Sequence, residues 1–259
     1  MMSRNIITSI LLVLFVVSFV SADTMILQDG LAGYSGTADT WLNSVAVYTN
    51  YGAGEDLYIR SGQLENTLIK FDIPDLSNAV ISSATLKLYN YDDGGPGWEC
   101  TMDAYRMQQT WAEGTAGTAG GSFYDYVGSS WWYYDGSWSA SWGSRAGGAD
   151  GALGVGDHGV APTASVNWTN YGSVWSITNP GWRELDVTSD VQAFASGAAA
   201  NFGWHLLLAD GSRPVFYSSD AVDASLRPVL EITYAAVPEP ATLTLIGIGM
   251  LGLVKRKKN

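Results

Sequence analysis

The chain has 259 residues, with 13 basic against 25 acidic side chains and a formal charge of −12. That acidity repels phosphate and anionic lipid headgroups, which excludes nucleic acid as a partner of the body and weakens any purely electrostatic grip on uronic-acid polymers. A single cysteine, Cys100, excludes an intramolecular disulfide, and eleven tryptophans with fourteen tyrosines are too many aromatics for a disordered chain.

Residues 1–22 combine a polar start containing Arg4, an apolar run over 6–20, and the small residues Ser21 and Ala22 before Asp23. This is the layout of a secretory signal peptide cleaved between Ala22 and Asp23. Removing Arg4 and the four terminal basics from 13 leaves 8, and removing Glu239 from 25 leaves 24, so the body carries −16. Its size, about 215 residues, suits one all-β domain with an ample core.

Strand signals recur from residue 24 onward. The segments 24–28 (TMILQ), 41–47 (WLNSVAV) and 57–60 (LYIR) are short. Over 66–73 (NTLIKFDI), Ile69, Phe71 and Ile73 take one face and Leu68, Lys70 and Asp72 the other, until Pro74 stops the strand. Alternation returns over 81–90 through Leu86 and Leu88, and a further strand is expected over 99–108. Residues 114–163 show no usable period and read as an aromatic, Gly-rich insertion. Beyond it, 181–187 reads as a strand and 188–197 as one short helix, capped by Thr188 or Ser189 and stopped by Gly197. Strands at 202–209, 214–218 and 228–234 close the body. Roughly nine strands, one helix and no repeat point to a two-sheet β-sandwich.

Within the insertion, 123–142 (FYDYVGSSWWYYDGSWSASW) concentrates Trp131, Trp132, Tyr133, Tyr134, Trp138 and Trp142, with Asp135 among them. Flat rings flanked by a carboxylate suit a sugar, whose C–H face stacks while its hydroxyls hydrogen-bond. The same rings also suit a satellite hydrophobic cluster capping the sandwich, and composition does not choose between the two. Catalysis has no motif. His158 and His205 lack a partnering Ser or Cys pattern, no Gly-x-Ser-x-Gly or His-Glu-x-x-His occurs, and no catalytic residue is assigned. Asp92, Asp93, Asp150 and Asp157 lie in Gly-rich loops that suit either ordinary turns or oxygen ligation of Ca²⁺, without the spacing of a known loop. No cofactor is certain and a metal is unknown; a structural Ca²⁺ stays open.

The last stretch, 237–259, carries the triplet Pro238, Glu239, Pro240, an uncharged segment over 241–254, and the basic cluster Lys255, Arg256, Lys257 and Lys258. Prolines keep the triplet extended, the apolar run partitions into lipid, and the basic cluster halts on the cytoplasmic side. As a helix, the apolar run spans roughly 21 Å, short of the roughly 30 Å hydrocarbon core, which suits a transient transmembrane helix better than a lasting anchor.

Triplet, span and basic end together resemble the PEP-CTERM sorting signal. That resemblance implies retention in the inner membrane by the C-terminal helix, then processing by an exosortase and release to the cell surface or extracellular matrix. The body, through Asn50-Tyr51-Gly52, residues 68–73 and 81–89, Thr110-Trp111, Leu185-Asp186-Val187-Thr188, Asn201-Phe202-Gly203 and Arg227-Pro228-Val229-Leu230, is similar to the DNRLRE domain. This implies a jelly-roll-like sandwich related to carbohydrate-binding modules. The expected organisation is therefore a signal peptide over 1–22, a sandwich over 23–236 with its insertion at 114–163, and a sorting signal over 237–259. The expected function is a non-catalytic, exported protein of the extracellular polysaccharide or biofilm matrix. A polysaccharide lyase or glycosidase, and a structural surface protein without ligand, are the alternatives.

Overall fold

A computed structural model of the protein describes residues 22–60, 62, 64–92, 99–117, 128–137, 141–143, 156–169, 179–210 and 213–236. The expected signal peptide, apart from Ala22, and the whole sorting segment 237–259 lie outside these residues, as do Trp138, Asp93 and Asp150.

Among the described residues, eleven strands and one α-helix follow in chain order: β1 (Ala22–Leu27), β2 (Thr37–Asn43), β3 (Asp56–Tyr58), β4 (Glu65–Phe71), β5 (Ala79–Asp92), β6 (Glu99–Arg106), β7 (Ala164–Thr169), β8 (Gly181–Asp186), α1 (Thr188–Ala195), β9 (Trp204–Asp210), β10 (Val215–Tyr217) and β11 (Val229–Ala236). They form two antiparallel sheets. One runs β1-β11-β5-β10-β3 with β8 added to β5, and the other runs β2-β4-β9-β6-β7. The architecture is all-β and consistent with a β-sandwich.

Alternation explains the layers. In β5, Leu86 and Leu88 are fully buried while Lys87, Tyr89 and Tyr91 between and beyond them are half-exposed, so one face of this long strand meets the core. Opposite it, Ile69 and Phe71 of β4, Met102 and Ala104 of β6, and Trp204, Leu206 and Leu208 of β9 supply the other half of the main core. Strand β4 is buried on both faces. Its Leu68 joins Leu42, Met107, Trp111 and Trp142 in a second cluster, on the side of the β2-β4-β9 sheet that turns away from the main core.

Two local expectations change. Residues 164–169 form β7, paired with β6 from Glu99↔Thr169 to Ala104↔Ala164, so the irregular stretch ends at its doorstep. The start of α1 is not capped by Thr188 or Ser189: Val187 is the N-cap, without a side-chain cap. The Thr188 hydroxyl is occupied elsewhere, donating to Asp186 Oδ1 at 2.6 Å and accepting from the Ala84 amide at 2.9 Å. Those bonds tie the helix to β8 and β5 instead. Gly197 does end the helix, with φ of +71°.

The two ends of the body meet. Ala22 pairs with Ala235 across β1 and β11, so the residue at the expected signal cleavage point lies beside the strand that leads into the Pro-Glu-Pro triplet.

Candidate functional site

An aromatic pocket of about 320 Å³ opens between β3, the edge of one sheet, and β2 of the other. Trp41 and Tyr51 form its floor, Tyr58 a wall, and Gly54, Glu55, Asp56 and Arg213 the remainder. Each is set there by local rules. In β3, Leu57 is fully buried, which turns its neighbours Asp56 and Tyr58 outward. Trp41 shares a face of β2 with Asp39, whereas Leu42 turns to the second cluster. Tyr51 rides on the loop after β2, and Asn50 fixes that loop. The buried Asn50 amide donates to the carbonyls of Glu113 and Ser129 and accepts from the amides of Gly52 and Ala116. Gly52 is required there because a Cβ would stand 2.2 Å from the Glu113 carbonyl oxygen.

The rings are closely held. Trp41 stacks on Tyr51 at 3.8 Å between centroids, and Tyr58 tilts against Trp41 at 4.7 Å. The Arg213 guanidinium lies over the Tyr58 ring at 4.2 Å and is gripped by the buried carboxylate of Glu65, with Nη2 to Oε1 at 2.8 Å. Arg213 therefore acts as a neutralised wall more than as an anion hook. Burial raises the phenol pKa values of Tyr51 and Tyr58, with Asp56 adding to the latter. Both phenols stay protonated, presenting an apolar body and a neutral polar edge to a ligand.

The aromatic segment singled out in the sequence lies nearby but is used differently by its members. Trp142 is buried in the second cluster, its Nε1 donating to the Ser130 carbonyl at 2.9 Å. Tyr133 is buried as well. Trp131, Trp132 and Tyr134 are half-buried, and Asp135 is exposed, its Oδ1 accepting from the Ser137 amide in a tight turn. Tyr48 connects the two regions. Its ring meets Trp132 edge-on at 4.8 Å, and it belongs to the loop that carries Tyr51.

Behind the pocket sits an acidic group that sequence reasoning did not single out. Asp39 is 1% exposed; its Oδ2 accepts from the Ser219 amide at 2.8 Å, and its own amide donates to Glu113 Oε1 at 2.7 Å. Burial drives the Asp39 pKa well up, with Glu113 adding to it. Glu113 itself is raised from 4.5 to about 7, by burial first and then by Asp220, against the hydrogen bond from the Asp39 amide and the weaker pull of Lys70. A carboxyl whose pKa is higher folded than unfolded binds its proton more tightly in the folded state. The stability it contributes is complete below pH about 4.5 and is lost as pH rises through about 7. Thermal melts of the protein should therefore fall by several degrees between pH 5 and pH 8. Glu113→Gln should flatten that slope; an unchanged slope would remove Glu113 from the account.

His205 is fully buried, and burial, followed by the nearby His158 ring at 5.1 Å, lowers its pKa well below the usual imidazole range. It is a packed neutral side chain. Both carboxylate oxygens of Asp157 accept from the Gly143 amide. Among the described residues no group of three or more His, Cys, Asp or Glu side chains has the arrangement to hold a metal ion. Cys100 is fully buried in the main core.

Comparison with known proteins adds two assignments. Residues 31–117 match carbohydrate-binding module family 96. Residues 236–258 match the PEP-CTERM protein-sorting motif. No curated protein matches the chain. The two resemblances read from the sequence thus meet at both ends of the protein: a sorting tail, and a carbohydrate-binding module in its N-terminal part. The sorting motif implies export and a surface or extracellular location, and the module implies a binding domain for glycan. Among the described residues no helix is long and apolar enough to cross a membrane, and 237–259 lie outside them. Every pocket residue except Arg213 falls inside the matched module, whereas Trp131, Trp132, Tyr134 and Asp135 fall outside it. The match covers β2 to β6; β1 and β7 to β11 are needed to complete both sheets.

Sequence reasoning missed this pocket. Trp41, Tyr51 and Tyr58 are single aromatics on a strand, a loop and another strand, each ordinary alone. The signal that could have found it was Tyr58 standing between Leu57 and Ile59, which places an aromatic on the outward face.

Proposed function

We propose that this protein is an exported, non-catalytic glycan-binding component of an extracellular polysaccharide layer, held in the membrane by its C-terminal helix until an exosortase processes it near Pro238. Its binding domain is a jelly-roll sandwich over 23–236. The ligand enters the Trp41–Tyr51–Tyr58 pocket, and Trp131, Trp132, Tyr134 and Asp135 form a neighbouring lip. The observation that carries the reading is the coincidence of an aromatic pocket with a carbohydrate-binding module match. The pairing of Asp23 with Tyr234 fits this reading, since the expected start of the mature chain and the strand that leads into the triplet then lie side by side.

The test is affinity gel electrophoresis of the full-length chain in detergent, run through a panel of soluble polysaccharides. Tyr58→Ala should weaken retardation by up to roughly tenfold, because covering an exposed large apolar side chain completely is worth about 1.5–3 kcal/mol and Tyr58 is already half-buried. A Tyr58→Ala protein that melts normally and is retarded as well as the parent would refute the pocket. Release of reducing sugar or unsaturated uronate from the polymer would favour the enzyme alternative instead.

A further inference from the structure

One corner of the body is tied closely to any membrane that holds the uncharged run 241–254. β11 ends at Ala236, and the four residues 237–240 are all that separates it from that run. Fully extended, four residues reach about 14 Å. As a helix the run is itself about 9 Å shorter than a hydrocarbon core, which draws its flanks toward the bilayer. Ala22, two residues beyond the N-terminal apolar run 6–20, pairs with Ala235 in the same corner. The corner is thereby kept within reach of the headgroups, and its side chains have to suit that medium.

They change in the order of a bilayer surface. On the outward face of β1, β11 and β5 the last rung is Ala22, Ala235 and Val80, joined by Ala79 and Ala236. Ile81 is buried, which turns Val80 outward, where it is 55% exposed. About 7 Å along the strands the second rung is Thr24, Thr233 and Ser83. Here the Thr24 and Thr233 hydroxyls lie 3.4 Å apart, and Ser82 Oγ donates to the Thr233 carbonyl at 2.9 Å. The third rung brings a charge: Glu231, ion-paired with Lys87 at 2.8 Å, with the exposed Ile26 beside it as the exception to the order. Apolar, hydroxyl and charged groups thus follow one another away from the triplet.

Charge selects the lipid. Asp23 and Asp75 are exposed at this end, whereas β1, β11 and the turn at 72–78 contain no basic residue. The single basic residue of β5, Lys87, is already paired with Glu231 and Glu184. An anionic leaflet would be repelled, with no lysine or arginine placed to hold it. A zwitterionic leaflet meets no such repulsion.

We infer that the Ala22–Ala235–Val80 rung, with Ala79 and Ala236, docks on the headgroup layer of a zwitterionic leaflet while 241–254 spans the bilayer. This rests on the reading of that run as a membrane span and adds the surface that the body turns to the lipid. The contact is small and depends on its tether, because a short linker holds the corner at an effective concentration in roughly the millimolar range. Processing at the triplet then ends the contact together with the anchor.

The experiment uses residues 23–259 reconstituted in phosphatidylcholine vesicles, with a bimane dye placed in turn on Val80→Cys, Ser83→Cys and Val222→Cys. All three positions are exposed, and Cys100 is fully buried, out of reach of the reagent. Val222 precedes β11, whose eight residues cover about 24 Å, so it stands far from the corner. With a nitroxide on the lipid headgroup, the loss of bimane fluorescence should be largest at Val80, smaller at Ser83 and absent at Val222. Partial replacement of phosphatidylcholine by phosphatidylglycerol should reduce the loss at Val80. Flotation of the vesicles reports the span separately. If the chain does not float with them, span and docking both fall. If it floats and Val80 is quenched no more than Val222, the docking is wrong and the span stands. Stronger quenching at Val80 in the anionic vesicles would overturn the lipid class.

Discussion

Asp190→Ala should destabilise the protein by about 3 kcal/mol, a fall in Tm of roughly 6–12 °C for a domain of this size. Asp190 is fully buried in the first turn of α1, where the N-terminal end of the helix favours a negative side chain. Its two oxygens serve two elements. Oδ2 accepts from Nε1 of the fully buried Trp204 at 2.8 Å, and Oδ1 accepts from Arg106 Nη1 at 3.2 Å. Removing the carboxylate strands an indole N–H inside the core and leaves a guanidinium with less compensation. Because the Arg106 side chain keeps 34% of its exposure, it can recover water, which holds the expected cost at the lower end for a broken buried pair. Asp190→Asn, which preserves an acceptor for one partner, should lose clearly less. Denaturant titration of the three proteins measures this, and a loss under about 1 kcal/mol for Asp190→Ala would mean that the helix is not anchored through Trp204.

Gly203→Ala should be more severe, above about 4 kcal/mol or beyond the limit of folding. Gly203 has φ of +75°, and an added Cβ would stand 2.1 Å from the Ile69 carbonyl oxygen and 2.5 Å from Lys70 Cβ. Its carbonyl also accepts from the Met107 amide at 2.9 Å, so it lies where β4, β6 and β9 converge. No side chain can yield, because the obstacle is backbone. Gly197→Ala separates the two penalties. That glycine has φ of +71° with nothing within 4 Å of an added Cβ, so only the conformational cost of about 1–2 kcal/mol applies. Equal losses at both positions would show that strain, and not the close approach of two strands, is what makes Gly203 necessary.

The strands that can be read from the sequence are those whose alternation separates a buried face from a wet one. β5 is the clearest case, with Leu86 and Leu88 buried and Lys87 and Tyr89 outward. β7 alternates as well, with Ala164, Val166 and Trp168 toward the main core and Ser165 and Asn167 outward, but it is short and isolated. Its residues, Ala164–Thr169, carry only Val166 and Trp168 as large apolar groups and follow a long irregular stretch, so their extended form depends on hydrogen bonds to β6. The helix start misleads because Thr188 has the right chemistry for a cap, yet Asp186 and Ala84 compete for its hydroxyl. At 123–142 the sequence shows a concentration of rings without showing which of them are accessible. Burial separates Tyr133 and Trp142 from Trp131, Trp132 and Tyr134.

By itself the sequence determined what is written locally: the acidic, cysteine-poor body, the all-β patterning, and the sorting motif whose triplet, apolar run and basic end act in the order in which they occur. Such features need no folding partner to be recognised. The pocket and the outward rings of β5, β8 and β10 are of the other kind. Tyr58 meets Arg213 only because β3 pairs with β10, and Tyr89 meets Trp182 and Tyr217 only because β5 pairs with β8 on one side and β10 on the other. Residues far apart in the chain become neighbours through strand register, which is set by burial of the opposite, inward face of each strand. The inward residues therefore decided where the outward aromatics meet, and only the tertiary structure contains that information.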